Sequence, residues 1–153
     1  MRAQTIRHEY TIKEAAALTG LPASTLRYYE SIGVIAPVGR GASSKHRVYD
    51  EDDLDQIMWV ACLAATGMSV SDMRAYVSNG RLGPSAAGEQ IELLAAQEQR
   101  LALELEHVAL RRRYVQLKID YWRSVEAGDA DRTELLSVEA RALADDLKRA
   151  KSK

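Results

Sequence analysis

"STLRYYESIGVIAP", residues 24–37, decides how the rest of the chain is read. An arginine and two adjacent tyrosines stand in what reads as a short helix, and a Gly-Val-Ile-Ala-Pro exit follows at once. Just upstream, Thr11-Ile12-Lys13-Glu14 has the spacing of a capping box, in which a hydroxyl and a carboxylate each satisfy a free backbone N–H at a helix start. Ile12, Ala15, Ala16 and Leu18 give that first helix its apolar face. Gly20 permits a left-handed turn and Pro22 suits the first turn of a new helix, so a second helix is expected from Ala23 to Ile32, ended by Gly33. Two short helices joined by a Gly-containing turn make a helix-turn-helix pattern.

Beyond it the pattern changes. Val34-Ile35 and Arg47-Val48-Tyr49 are short β-prone runs flanking Pro37, Gly39, Gly41, Ser43 and Ser44, with Arg40 and Lys45 near the tip; this predicts a small basic hairpin, a wing. Asp50-Glu51-Asp52-Asp53 opens a third helix with acids at its positive end. Leu54, Ile57, Met58, Ala61, Cys62 and Ala65 are expected on its inner face, with Gly67 as the stop. A fourth helix is expected from Ser69 to Asn79, with Val70, Met73 and Val77 inward and Asn79-Gly80 closing it. "GRLGPSAAG", residues 80–88, reads as a linker.

After the linker the period becomes seven. Leu94, Leu101, Val108, Val115 and Trp122 recur at heptad spacing, and Ile91, Leu105 and Ile119 fill three of the interleaved positions. Glu98 and Arg112 occupy the other two. A helix from Ala86 to Glu126 would be roughly 60 Å long and cannot bury such a seam alone. The simplest partner is a second copy. A parallel self-pair would set Glu98 against Glu98, whereas an antiparallel pair sets it near Arg112, so an antiparallel coiled coil is expected. A second stripe, Leu103, Leu110, Tyr114, Leu117 and Tyr121, needs cover from the partner, from a ligand, or from the C-terminal segment with Leu135, Leu136, Val138, Leu143 and Leu147. That last segment is helical in pattern, and its end from Lys148 is expected to fray.

The fold class is therefore mainly α: a winged helix-turn-helix domain (1–80), a linker and dimerisation helix (81–128), and a C-terminal helical segment (129–153). Composition bounds the function. The whole chain of 153 residues carries a net charge of -1, yet residues 1–50 hold seven cations, among them Arg2 and Arg7, against four acids, a local +3. Such a surface can bind phosphates within a neutral protein, because screening confines its field to about 8 to 10 Å. No apolar run is long enough for a membrane span and no signal-peptide core is visible, so a cytoplasmic protein without membrane partners is expected. Cys62 is the single cysteine; His8, His46 and His107 are scattered, so neither a metal site nor a cofactor is expected. Nothing pairs a nucleophile with a base, and there is no phosphate loop, so the chain does not read as an enzyme.

"LRYYE" with its Gly-hydrophobic-hydrophobic-x-Pro exit, "RVY" before the acidic helix start, "TGMSVSDMRAYV" and the long helix together resemble the MerR family of bacterial transcription regulators, over roughly residues 9–125. In the wing, Lys45-His46 replaces the family's frequent Gly-Tyr. The resemblance implies a homodimer on double-stranded promoter DNA, acting on RNA polymerase indirectly by distorting the spacer between promoter elements. Ser24 and Thr25 would face base edges, while Arg27, Tyr28 and Tyr29 would hold phosphates from the recognition helix. Thr11, with Arg40, Lys45, His46, Arg47 and Tyr49 of the wing, completes the expected contact set. Thr66 and Arg74 would add contacts from a second wing. Ordinary core packing is the competing reading for the two tyrosines.

The context "CL...TGMS" around Cys62, with "LKIDYW" near the end of the long helix, resembles the branch that responds to aldehydes, other electrophiles and nitrosative stress. There a cysteine at this place is the proposed sensor; a small buried core residue is the alternative. Two further readings stay open: a small-molecule regulator without thiol chemistry, using Tyr114, Tyr121 and Trp122, and a coiled-coil adaptor with a degenerate DNA-binding head.

Overall fold

Thr11 caps the first helix by the reciprocal bonds its spacing predicts. Its hydroxyl accepts from the Glu14 N–H at 3.2 Å, and Glu14 Oε1 accepts from the Thr11 N–H at 3.2 Å. The computed structural model describes residues 8–151; Arg2 and Arg7, counted in the basic surplus, and residues 152–153 of the basic tail lie outside the described residues. Helix α1 (Ile12–Thr19) stops at Gly20, whose φ of 75° a side chain would disfavour. Helix α2 (Ala23–Ser31) follows after a turn of three residues. Ala15 and Thr19 of α1 and Leu26 and Tyr29 of α2 are buried. Leu18, expected inward, is 58% exposed, because it sits about a quarter turn from the stripe through Ile12, Ala16 and Thr19.

The wing is shorter than expected. Strands β1 (Gly39–Arg40) and β2 (Arg47–Val48) pair antiparallel with Gly39 opposite Val48 and Arg40 opposite Arg47. Val34 and Ile35 are not strand; both are buried in the core and their N–H groups bond the Tyr29 carbonyl at the end of α2. Their β-branched character serves packing, which a short apolar run cannot distinguish from a strand. Tyr10 and Tyr49 exchange backbone bonds of 2.8 and 2.9 Å, tying the segment before α1 to the end of β2.

Helix α3 (Glu51–Ala65) begins with a second capping box, Asp50 with Asp53. Its inner face is turned by about a quarter turn from the expected one. Ile57 and Val60 are buried and Leu54, Leu63 and Ala64 pack on the core, whereas Met58, Cys62 and Ala65 are exposed. The reason is that α3 packs against both α1 and α4, and the two contacts draw the stripe towards Val60 and Ala64. Helix α4 (Val70–Leu82), capped by Ser69, buries Met73 and Val77 as expected. It runs through Gly80, so the linker is not extended: Gly83, with φ 69°, turns the chain and Gly83–Ala86 forms a single 3₁₀ turn.

Helix α5 (Ala87–Glu126) is 40 residues long, and α6 (Ala130–Lys151) follows a turn at Gly128. The described residues fall into two compact units that divide between Leu94 and Ala95. In the second, α6 folds back along α5, with the Ser124 and Thr133 hydroxyls 2.7 Å apart near the turn and Leu147 and Ala150 facing Leu103 and Leu110 at the far end. Leu117, Leu136 and Ala140 are buried there, so α6 supplies part of the cover the second stripe requires. Leu135 and Val138, expected in that contact, are exposed, because the inward row is Leu136, Ala140, Leu143 and Leu147. The helix also continues through Lys148 to Lys151, past the point expected to fray. Among the described residues no helix is long and apolar enough to cross a membrane.

Candidate nucleic-acid interface

Helix α1, helix α2 and the wing enclose one cleft of about 480 Å³. Thr11 and Lys13 line it from α1 and its cap, Arg27 from α2, and Arg40, Ser44, His46 and Arg47 from the hairpin. Among the described residues Glu9 is the one acid on its wall. Glu30 lies beside it, its side chain 13% exposed, and binds both wing arginines: Arg47 Nε donates to Oε2 at 2.8 Å, and Arg40 Nη2 stands 3.9 Å from Oε1. Four Lys and Arg cations against these two carboxylates leave a positive surplus, a surface suited to the oxygens of a phosphate chain.

The Glu30 contacts have a structural cause. Arg40 and Arg47 are directly opposite in the hairpin register, where like charges repel. One carboxylate from α2 offsets that repulsion and ties both strands to that helix. Glu30→Gln is expected to lower stability by about 1–3 kcal/mol, read as a fall of several degrees in the thermal midpoint. DNA affinity should fall with it; an unchanged midpoint would show that the wing holds its place without this carboxylate.

The tyrosine pair divides. Tyr28 is 52% exposed on the outer side of α2, while Tyr29 is buried among core side chains, their rings 6.2 Å apart. Tyr29 and Leu26 fall on the inward stripe, and Tyr28, one residue away, cannot. Tyr49, also expected as a contact, is fully buried, and its hydroxyl has no hydrogen-bond partner among the described residues. Burial pushes its phenol above the ordinary value, with Arg47 pulling the other way. Both rings belong to the core, and Tyr28 is left to present its phenol outward.

Ser24 is exposed and Thr25 half-buried on the first turn of α2. The Thr11 hydroxyl is committed to Glu14. Lys45 stands at the wing tip with φ 56° and is absent from the cleft wall. Thr66 and Arg74 are exposed on α3's end and α4, away from the cleft. Lys13, Ser44 and Glu30 were not expected in the site. Lys13 stands on the first turn of α1, two residues after the capping threonine, and no signal in the sequence places that turn beside the wing.

Cys62 is a free, exposed thiol on α3, next to exposed Met58 and Trp59, and not a core residue. On α5, Lys118 stands 5.7 Å from the ring centroids of both Tyr114 and Tyr121, and Tyr121 packs edge-on against Trp122 at 5.3 Å. The seam residues Ile91, Leu94, Leu101, Leu105, Val108, Val115, Ile119 and Trp122 are all exposed in the single chain.

The family model described as MerR HTH family regulatory protein matches residues 10–80. The HTH-type transcriptional regulator AdhR of Bacillus subtilis is 37% identical over 90 residues, 59% of this chain and 64% of that protein. A second Bacillus subtilis regulator, YyaN, is matched over only 51% of its length, so the chain spans about half to just under two thirds of these relatives. Among solved structures, a MerR family regulator from Listeria monocytogenes superposes with a TM-score of 0.66 at 28% identity, covering 85% of this chain and 98% of that one. HiNmlR, a MerR family regulator bound to promoter DNA, superposes at 0.65 with 23% identity, covering 84% and 96%.

Proposed function

Since the chain belongs to the MerR family of helix-turn-helix regulatory proteins, we propose that it is a transcriptional regulator that binds promoter DNA as a homodimer. The observation that carries this reading is the basic cleft between recognition helix and wing, with Lys13, Arg27, Arg40 and Arg47 on one surface. The α2 N-terminus, with Ser24 and Thr25, enters the major groove, and the cleft residues with Tyr28 hold the backbone on either side. Thr66 and Arg74 extend the contact along the duplex.

Dimerisation uses α5, whose seam leaves Ile91 67% and Leu105 70% exposed in the single chain, a row that an antiparallel second copy would bury. A two-fold dimer reads a pseudo-palindromic site. It acts on RNA polymerase through the promoter, by bending and untwisting a spacer, a deformation costing on the order of several kcal/mol that many phosphate contacts must offset. The test is a mobility shift on the DNA upstream of its own gene at defined salt. One shifted pseudo-palindromic fragment supports the reading; no shift at low salt on any fragment sinks it and favours the coiled-coil adaptor.

The signal is an aldehyde or other electrophile taken by the Cys62 thiolate; exposure of the thiol supports this over a packing role. Cys62→Ser is expected to bind the same DNA with unchanged affinity and to lose the response to an electrophile. A normal response in that variant would move sensing to a small molecule held near Tyr114, Tyr121 and Trp122.

A further inference from the structure

Where α6 ends against the middle of α5, the second unit holds an open cleft of about 640 Å³. Its floor is apolar: Leu103 and Leu110 from α5, Leu147 and Ala150 from α6. Leu103 and Leu110 are one heptad apart and so share a face of α5, while α6 closes on them with a single leucine and an alanine. The pair therefore leaves part of the space over the two α5 leucines unfilled. Leu103 remains 55% exposed in consequence.

The rim is charged. Arg100, Glu104, His107 and Arg111 run along one row of α5 at spacings of four, three and four, and Lys151 stands on the facing helix. Arg111 and Lys151 against Glu104 leave one positive charge in excess, beside Arg100, which donates to the Gln97 amide oxygen at 2.9 Å. A cleft of this size with an apolar floor and a few convergent polar groups has the character of a small-molecule site. Its charge selects an anion, and guanidinium groups fit a carboxylate in two-point geometry. The cleft also lies off the heptad seam, which runs through Leu101, Leu105 and Val108, so pairing through that seam leaves it open.

We propose that this α5–α6 cleft binds a small organic anion with an apolar body, a medium-chain or aryl carboxylate whose tail lies on Leu103, Leu110 and Leu147 and whose carboxylate meets Arg111 and Lys151. Binding here does not require DNA, so it is read on the full chain alone and its failure leaves the DNA reading untouched.

The experiment is calorimetric titration of sodium decanoate, kept below micelle formation, into the purified full chain. Saturable binding is expected. Arg111→Gln should weaken it about tenfold through loss of a charge-assisted bond, and Ala150→Leu, which fills the floor, should weaken it further. Arg111 is on the helix surface, so unchanged helicity by circular dichroism is expected for its variant and separates lost binding from lost folding. Decyltrimethylammonium, with the same tail and opposite charge, should not bind. The proposal is overturned by absence of saturable binding, by equal affinity for the two amphiphiles, or by an Arg111→Gln variant that binds decanoate unchanged. Binding confined to the monomeric variant Leu101→Asp with Val108→Asp would also overturn it, and would assign the cleft to the second copy.

Discussion

Leu101→Asp combined with Val108→Asp is expected to leave the protein monomeric. Both residues sit in the seam one heptad apart and are already exposed in the single chain, so the substitutions remove little packing from the chain itself. In the dimer they would place four carboxylates in a dry seam. Each buried charge without a partner costs roughly 3–5 kcal/mol, so the dimer dissociation constant should rise by at least about a thousandfold. Light scattering would then report half the dimer mass, with helical circular dichroism largely retained. A dimeric mass in the double variant would remove the coiled-coil proposal altogether. Operator affinity should collapse with the dimer, because each head alone reads one half-site and loses the gain that linkage of two heads supplies.

The second large effect is expected at the cleft. Arg27→Ala should weaken binding on every DNA sequence and lower the slope of log affinity against log salt by about one. Adding Arg40→Ala should lower the slope by about one more, with a combined loss on the order of a hundredfold at physiological salt. Ser24→Ala is the contrast: at the start of the recognition helix it should change discrimination among sequences and leave the salt slope alone. Mobility shifts at a series of salt concentrations separate the two classes. Unchanged affinity for Arg27→Ala would mean that the cleft is not where DNA lies.

Much of the fold was legible because the deciding signals are local. The capping box at Thr11, the left-handed turn at Gly20 and the heptads after residue 90 depend on neighbours in sequence, and each element stands where those signals place it. The misreadings have one cause. The rotation of α3, the burial of Val34 and Ile35 and the division of Tyr28 from Tyr29 depend on which neighbour an apolar face meets. Periodicity gives a stripe but not its centre to better than about one residue. Asn79-Gly80 reads as the stop, yet the positive-φ turn falls three residues later at Gly83.

The site was legible as a set of cations and obscure as an arrangement. Arg27, Arg40, His46 and Arg47 stood out because basic residues around a turn are readily read as phosphate ligands. Glu30 did not, since an acid in a basic region looks like an exception until the hairpin register puts two guanidiniums opposite each other beside it. Lys13 did not either, as its approach to the wing depends on how α1 packs.

Glu98 and Arg112, the two charged positions in the α5 seam, have a consequence for a cell that carries several regulators of this shape. Chains that mixed freely would carry two different reading heads and answer two signals at once. A foreign helix with leucine at both positions would strand one carboxylate and one guanidinium against hydrocarbon, whereas a second copy of this chain, paired antiparallel as proposed, would bring each the opposite charge. In the proposed dimer the seam would give up some stability at those two positions and in return keep the chain paired with its own kind.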